Sequence, residues 1–306
     1  MIIVRINGGL GNQLFQYATA CAIALKLKRK LFLDIAWYNN IHTLEDYTDP
    51  NATTHRDFLL KYFNIQSRVL NNIHLNWIKR LEIRSRNSKF FKFLQKGPLN
   101  YLSYTTVDHN NFSLEFIKDH PHVYLTGYWQ NNDIIEEYKN LLYNEFILKH
   151  PLSADNQHHL KSINSSVSVA IHVRRGDYIS KPNSRKVHAS CSKNYYYNSI
   201  EYLNNNMNDL QFFIFSDDVN WVKDNIHFNN DTTFIDNTGP DYEHMYLMNK
   251  CKHQITANST FSWWAAWLNT YPEKVIITPQ YWYNDEYLNN TVIRIPKEWI
   301  RINNLV

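Results

Sequence analysis

The chain has 306 residues, of which 32 are Lys or Arg and 28 are Asp or Glu, giving a formal net charge of +4 with His neutral. With 44% apolar residues and 15% aromatics it can bury a sizeable core, which excludes disorder as its main state. So weak a positive field also excludes a nucleic-acid partner held by bulk charge.

A chain near 300 residues corresponds to about two domains of ~150 residues each. Cys21, Cys191 and Cys251 form neither a disulfide framework nor a Cys-x-x-Cys pair, as expected of a reducing compartment. No stretch reaches the ~20 mainly apolar residues that span a bilayer. The opening Met1-Ile2-Ile3-Val4-Arg5-Ile6 lacks the regions of a signal peptide and reads as a strand, so the expected location is the cytoplasm.

Residues 2–6 are a short apolar run closed by glycine, the pattern of a buried parallel strand. Asn12 opens a helical stretch with Leu14, Phe15, Ala18, Cys21, Ala22 and Leu25 on one apolar face. Lys26, Lys28, Arg29 and Lys30 gather at its C-terminal end, where the helix dipole favours cations. Leu31-Phe32-Leu33 leading into Asp34 completes a βαβ unit and predicts an α/β fold.

Residues 36–125 are rich in Asn, Tyr and His, and only short helices are expected there. Within them, 79–96 holds seven basic residues and one acid, Glu82, interleaved with Phe90, Phe91, Phe93 and Leu94. This is either a solvated helical face with its core side or a surface that lies against anionic lipid or an anionic donor. Residues 133–149 read as helical, ending at His150-Pro151. The polar stretch 153–166 reads as a loop at the domain boundary, giving domains 1–155 and 165–306.

The second half restarts the α/β pattern. A strand over 167–173 delivers Arg174, Arg175, Gly176 and Asp177 at its end. A helix over 195–205 leads to a strand at 211–215, then Ser216-Asp217-Asp218 and a helix from Val219. Further strands are expected at 233–235, 254–257 and 275–277, with helices through Met248 and over 261–268. Open parallel sheets bind ligands beyond the carboxyl ends of their strands. The polar clusters fall at those ends in both halves, so the expected site is a cleft between two such domains.

Glycine is scarce, seven in all, yet three are Gly8, Gly9 and Gly11. Missing Cβ atoms at a helix start let backbone N–H groups approach a phosphate or sugar. Gly9-x-Gly11 and Asp34 also fit a dinucleotide fingerprint, although its third glycine position holds Leu14. A nicotinamide oxidoreductase therefore stands as an alternative.

In His172-Val173-Arg174-Arg175-Gly176-Asp177-Tyr178, two guanidinium forks match phosphate oxygens. Strand alternation sends the two arginines to opposite faces, so one of them faces a ligand. The other reading is a structural Arg–Asp pair with Asp177, and His172 alone reads as a core histidine. Asp217 and Asp218 either accept from a nucleoside or cap the following helix. Two carboxylates are too few ligands to define a metal site. Asn258-Ser259-Thr260-Phe261 again puts hydroxyls and free amides at a helix start, and Trp263, Trp264 and Trp267 read as core. With 9 Trp and 21 Tyr, a non-catalytic carbohydrate-binding protein is the alternative from another class.

Four blocks carry a resemblance: Gly8-Gly9-Leu10-Gly11-Asn12-Gln13-Leu14-Phe15-Gln16, His172 through Tyr178, Phe215-Ser216-Asp217-Asp218-x-x-Trp221, and Met248-x-x-Cys251 leading into Ala257-Asn258-Ser259-Thr260-Phe261-Ser262-Trp263-Trp264. In this order they resemble the α-1,2-fucosyltransferases of glycosyltransferase family 11, in a bacterial form without a membrane anchor. The resemblance implies a GT-B fold, two Rossmann-like α/β domains facing across a cleft. The first would face the acceptor and the second bind GDP-β-L-fucose. It also implies inverting transfer of L-fucose to the 2-hydroxyl of a terminal β-galactoside in surface-glycan or O-antigen synthesis. No metal and no cofactor are expected, since GDP-fucose is a substrate.

Carried over residue by residue, Arg174 would hold the β-phosphate, and His172 with one of Asp217 or Asp218 would contact the guanosine. Ser259 and Thr260 would close on the diphosphate, and Gly9, Gly11 and Asn12 would line the cleft opposite. Arg175, Asn258 and Phe261 belong to the same donor-binding set, and Asp177 is the candidate general base. The implied partners are GDP-fucose and a galactoside acceptor, lipid-linked where the glycan grows on a carrier. Residues 79–96 would then dock the enzyme on the anionic inner membrane, and no nucleic-acid partner is expected.

Overall fold

The computed structural model describes residues 1–39, 56–70, 105–109, 112–130, 133–176, 182–236, 239–292 and 295–305. Asp177, Tyr178 and the basic stretch 79–96 lie outside these residues. The chain divides into two compact units, Met1–Lys149 and His150–Val306, each built on a parallel sheet. This is the pair of parallel α/β units expected of a GT-B chain. Among the described residues, no helix is long and apolar enough to cross a membrane.

In the first unit, β1 (Ile2–Arg5) is wholly buried and leads into α1 (Leu10–Lys26), then β2 (Leu31–Asp34) and β3 (Arg68–Val69). β4 (Thr105–Asp108), β5 (Val123–Thr126) and α2 (Lys139–Glu145) follow. The strand order is β3-β2-β1-β5-β4, with every pair parallel. Thus 36–125, where only short helices were expected, supplies three strands of this sheet. They are two to four residues long, too short to show an alternating pattern.

α1 also departs from its expected single apolar face. Every residue from Leu10 to Ala24 except Asn12 is buried. Gln13 and Gln16 tolerate this because their amides are satisfied. Gln13 Nε2 donates to Gly8 O (3.0 Å) and Asp57 O (2.9 Å), and its Oε1 accepts from Leu59 N (2.9 Å). Gln16 Oε1 accepts from Asn7 N at 3.0 Å, and its Nε2 donates to Gly127 O at 3.2 Å.

The second unit opens with α3 (Ala154–Asn164), in the stretch expected to be loop. Only Asn156 and Ile163 of α3 are buried, so the helix has no apolar stripe to announce it. Polar bonds seat it instead, as Ser153 Oγ and Asn156 Nδ2 both donate to the Glu243 carboxylate at 2.7 Å. Burial would raise the Glu243 pKa, but these donors outweigh it and hold the group below its ordinary range.

Then come β6 (Val167–Val173), α4 (Lys193–Asn206), β7 (Leu210–Ser216), α5 (Val219–Asn225), β8 (Asp231–Ile235) and α6 (Asp241–Lys250). β9 (His253–Ile255), α7 (Thr260–Trp267), β10 (Ile276–Pro279) and β11 (Ile300–Ile302) complete the unit. The strands lie in the order β11-β10-β9-β6-β7-β8, all parallel. The sheet starts at β6, runs outward through β7 and β8, and then reverses to β9 on the other side of β6. Val169, Ile171, Phe212, Ile214 and Ile255 form its core with Tyr195 and Tyr196 of α4. Trp263 and Trp264 are fully buried and Trp267 nearly so, in agreement with the core reading of that cluster.

Candidate functional site

The reversal from β8 to β9 creates a switch point between β6 and β9, and crevices of this kind hold ligands in open parallel sheets. His172 to Gly176 leave the carboxyl end of β6, and Asn258 to Phe261 leave that of β9. α4 fixes both strand ends with two neighbouring tyrosines. Tyr195 OH donates to Thr256 O at 2.6 Å, and Tyr196 OH donates to His172 O at 3.2 Å. Neither tyrosine was singled out from the sequence. Their only signal is the run Tyr195-Tyr196-Tyr197 inside a helix.

The two arginines part company at the end of β6. Arg174 Nη1 lies 2.9 Å from Asp217 Oδ2, at the end of the neighbouring β7. Asp217 also accepts from Arg175 N (2.9 Å) and Gly176 N (3.0 Å), so one carboxylate shapes the whole turn. A Cβ on Gly176 would sit 2.6 Å from Asp217 Oδ2, and glycine at this position is what permits the approach.

Arg175 points to different partners. Its guanidinium lies 3.4 Å from the centroid of the Trp221 ring, and its Nε is 3.4 Å from Asp218 Oδ2. Asp218 Oδ1 caps α5 by accepting from Trp221 N at 3.2 Å. The adjacent aspartates therefore have distinct duties, one on the Arg174 turn and one on the helix cap. Arg174 thus pairs with Asp217, while the pair with Asp177 weighed from the sequence lies outside the described residues.

His172 is buried, and its ring lies against Phe261 with centroids 5.7 Å apart. Burial first, and then the Arg174 charge, push its pKa down to about 4, so the imidazole is neutral near pH 7. Its Nδ1 has no hydrogen-bond partner among the described residues.

At the start of α7, Ser259 Oγ caps the helix by accepting from Phe261 N at 3.3 Å. Thr260 is the first residue of that helix. Asn258 is buried and committed to the protein. Its Nδ2 donates to Ala189 O and to Trp282 O (3.3 Å), and Cys191 Sγ lies 3.8 Å from its Oδ1. It ties three segments together beside the helix start.

In the first unit, Gly8 has φ +77°, a conformation that calls for glycine. Gly9 precedes α1, and a Cβ added there would meet nothing within 4 Å. Gly11 is buried in the first turn, and Asn12 Oδ1 accepts from Gln130 Nε2 at 3.2 Å. Asp34, the acid that a nicotinamide reading needs for a ribose, is buried and occupied. Its Oδ1 accepts from Ala36 N at 2.8 Å and its Oδ2 from Tyr124 OH at 2.5 Å.

Residues 1–303 match the family described as glycosyl transferase family 11. The chain is 33% identical to an alpha-1,2-colitosyltransferase of Escherichia coli over 310 residues, covering 99% of each chain. It is 32% identical to the O-antigen biosynthesis glycosyltransferase WbnK of Escherichia coli, covering 91% of this chain and 93% of that one. Similarity extends to the galactoside 2-alpha-L-fucosyltransferase SEC1 of Bos taurus, 22% identical over 87% of this chain and 63% of that one. With a family match that runs almost end to end and relatives above 30% identity over nearly the whole length, the chain belongs to glycosyltransferase family 11.

Proposed function

We propose that the protein transfers L-fucose from GDP-β-L-fucose to the 2-hydroxyl of a terminal β-galactoside, with inversion, in the synthesis of a surface glycan of the O-antigen kind. The observation that carries this reading is the Arg174 guanidinium held by Asp217 at the switch point of the second sheet. As the fucosyl–oxygen bond breaks, negative charge grows on the departing GDP. Arg174, the hydroxyl of Ser259 and the start of α7 are dipoles and charge fixed in advance for that moment. Arg174 takes the β-phosphate, and Thr260 with the α7 amides takes the rest of the diphosphate. His172, neutral and with Nδ1 unsatisfied, offers the guanosine a hydrogen bond without a competing charge. Turnover on this reading needs no divalent cation.

A second reading of the donor comes from the similarity to a colitosyltransferase. Colitose is fucose without its 3-hydroxyl, so the two donors share every group that Arg174 and α7 would touch. A site that hydrogen-bonds the 3-hydroxyl rejects the deoxy sugar by about 10⁴–10⁵, whereas one that packs against C3 discriminates far less. The deciding experiment offers GDP-fucose and GDP-colitose, each in EDTA, to a panel of β-galactosides, with the product linkage read by NMR. An α-1,2-fucosylated product supports the reading. Selective use of GDP-colitose replaces the donor but keeps the reaction, and absence of both transfer and GDP binding overturns it.

Membrane docking through residues 79–96 belongs to the same proposal, because a carrier-linked acceptor would lie at the bilayer. Co-sedimentation with anionic vesicles at low salt tests it, and no binding sinks it.

A further inference from the structure

We propose that ordered water lies beneath α7, bridging His172, Thr256 and Thr278, and that the two threonines position the His172 imidazole through it. This rests on the glycosyl-transfer reading above and deepens it, since both threonines stand behind the crevice rather than in it.

The three side chains form a row across the second sheet. Ile171 lies opposite Ile255, and Ile255 opposite Ile277. One step further along, His172 of β6, Thr256 just after β9 and Thr278 of β10 stand side by side, with Thr256 N donating to Ile277 O at 2.8 Å. Ile171, Ile255 and Ile277 belong to the core that includes Tyr195 and Tyr196 of α4. Alternation therefore turns the row to the opposite face of the sheet. α7 covers that face. Phe261 lies against the His172 ring with centroids 5.7 Å apart, and Ala265 O accepts from Gln254 Nε2 at 3.3 Å.

Every member of the row is sealed from solvent. Thr256 and Thr278 are fully buried, and His172 is 6% exposed. Thr256 Oγ1, Thr278 Oγ1 and His172 Nδ1 have no hydrogen-bond partner among the described residues. The same holds for Gln254 Oε1, two residues before Thr256 on the same face. Gln254 spends its amide hydrogens on Met248 O at 2.8 Å and on Ala265 O, so its oxygen can only accept. A buried polar group without a partner keeps its full desolvation penalty, and native cores rarely leave one so, still less several together.

The spacing selects the ligand. Neighbouring strands stand about 4.8 Å apart, too far for one hydroxyl to bond the next. A water with hydrogen bonds of ~2.8 Å on two sides, at its tetrahedral angle, spans about 4.6 Å. Buried water also needs several polar partners and room, and the row offers both. The room comes from small side chains of α7. Ser262 and Ala265, one turn apart, are buried, and Ser262 Oγ donates to Ala257 O at 3.3 Å, directly after Thr256.

The consequence falls on the nucleotide. In a neutral imidazole one ring nitrogen donates and the other accepts, and the bond made by one sets the role of the other. Water on Nδ1 holds His172 in a single tautomer, so the remaining nitrogen meets the guanosine with a fixed role. Thr256 cannot drift from this place, because its carbonyl accepts from Tyr195 OH at 2.6 Å.

The test uses the full-length protein, GDP as ligand, and the pair Thr256→Val and Thr256→Ser. Valine keeps the shape and removes the hydroxyl, whereas serine keeps the hydroxyl. NMR of histidine-labelled protein should show His172 in one tautomer in the wild type and in Thr256→Ser, and in a mixture in Thr256→Val. GDP affinity should fall about three- to tenfold in Thr256→Val, and the serine variant should retain it. Thr278→Val, one water further on, should move both readouts in the same direction by less. A crystal structure of the wild type should show water within ~3.2 Å of both threonine hydroxyl oxygens. Direct bonds from these oxygens to protein groups, with no water between, overturn the proposal. So does a Thr256→Val protein with the wild-type tautomer and GDP affinity. Should that variant not fold, Thr278→Val with both readouts unchanged does the same. Equal losses in the valine and serine variants also overturn it, since packing and not the hydroxyl would then be responsible. A wild type that binds no GDP fails at the functional reading, and the water and the tautomer still decide the proposal.

Discussion

Arg174 and Asp217 meet at 2.9 Å, each 24% exposed, with the same carboxylate also holding the backbone N–H groups of Arg175 and Gly176. A carboxylate with three donors cannot follow a mobile arginine, so the guanidinium is held in one orientation. Partial exposure keeps it reachable by a ligand.

Arg174→Ala is therefore expected to lower kcat by about 10²–10³ or more, and Arg174→Lys to be severely impaired because the planar fork is lost. Arg175→Lys is the contrasting case. It gives up a stack on Trp221 worth about 0.5–2 kcal/mol, so thermal stability should fall while most of the transfer rate remains. Steady-state rates and melting curves of the three variants separate these outcomes, and equal losses of rate at both positions would contradict the division.

Gly176→Ala probes the same turn from the other side. Its methyl would have to displace a carboxylate oxygen 2.6 Å away, which pulls Asp217 off Arg174. Misplacement on the scale of 1 Å can cost about 10²-fold. The expected result is a loss of that order in kcat/KM with little change in overall fold by circular dichroism. Near-wild-type kinetics would mean that the Asp217 hold on Arg174 is dispensable.

Tyr195→Phe and Tyr196→Phe each remove one hydroxyl that pins a strand end, leaving Thr256 O or His172 O short of a donor. Each is expected to cost about 1–3 kcal/mol of stability. GDP binding should weaken in both, because the crevice between β6 and β9 loses a fixed wall. Calorimetric titration with GDP, alongside denaturant unfolding, checks both effects. Lower stability with unchanged GDP affinity would detach the tyrosines from the site.

Glu145 provides a pH signature in the first unit. Burial raises its pKa above the ordinary carboxylate value, against the opposing hydrogen bonds from Tyr17 and Gln66. The folded chain thus prefers the protonated acid more than the unfolded chain does. Its contribution is full below the unfolded value of about 4.3 and is lost as pH rises through the higher folded value. Glu145→Gln cannot ionise, so the decline in unfolding midpoint across that window should flatten in the variant. An unchanged slope would assign the decline to other groups.

The elements legible in the sequence are those whose pattern is local. β1, α1 and β2 announce themselves through a glycine-bounded apolar run and a helical period. β6 is marked by the arginines at its end, and β7 by its two aspartates. What escaped depends on partners distant in the chain. Gln13 and Gln16 sit inside an all-buried helix because carbonyls and amides at Asp57, Leu59 and Gly127 satisfy them, and no local window contains those groups. α3 is seated by Glu243, 87 residues from Asn156. The acid that meets Arg174 among the described residues, Asp217, stands on another strand.

The reversal of the second sheet also bears on how the protein comes into being. β6 and β9 touch, with Val169 opposite His253, yet all of β7, β8 and four intervening helices are made between them. A nascent chain that has just released Arg174 from the ribosome has one side of the crevice and nothing to set against it. Long-range parallel pairing of this kind is slow to form. On the proposed reading GDP would recognise only the finished pairing, so the nucleotide should speed or protect the last step of maturation while leaving earlier intermediates untouched.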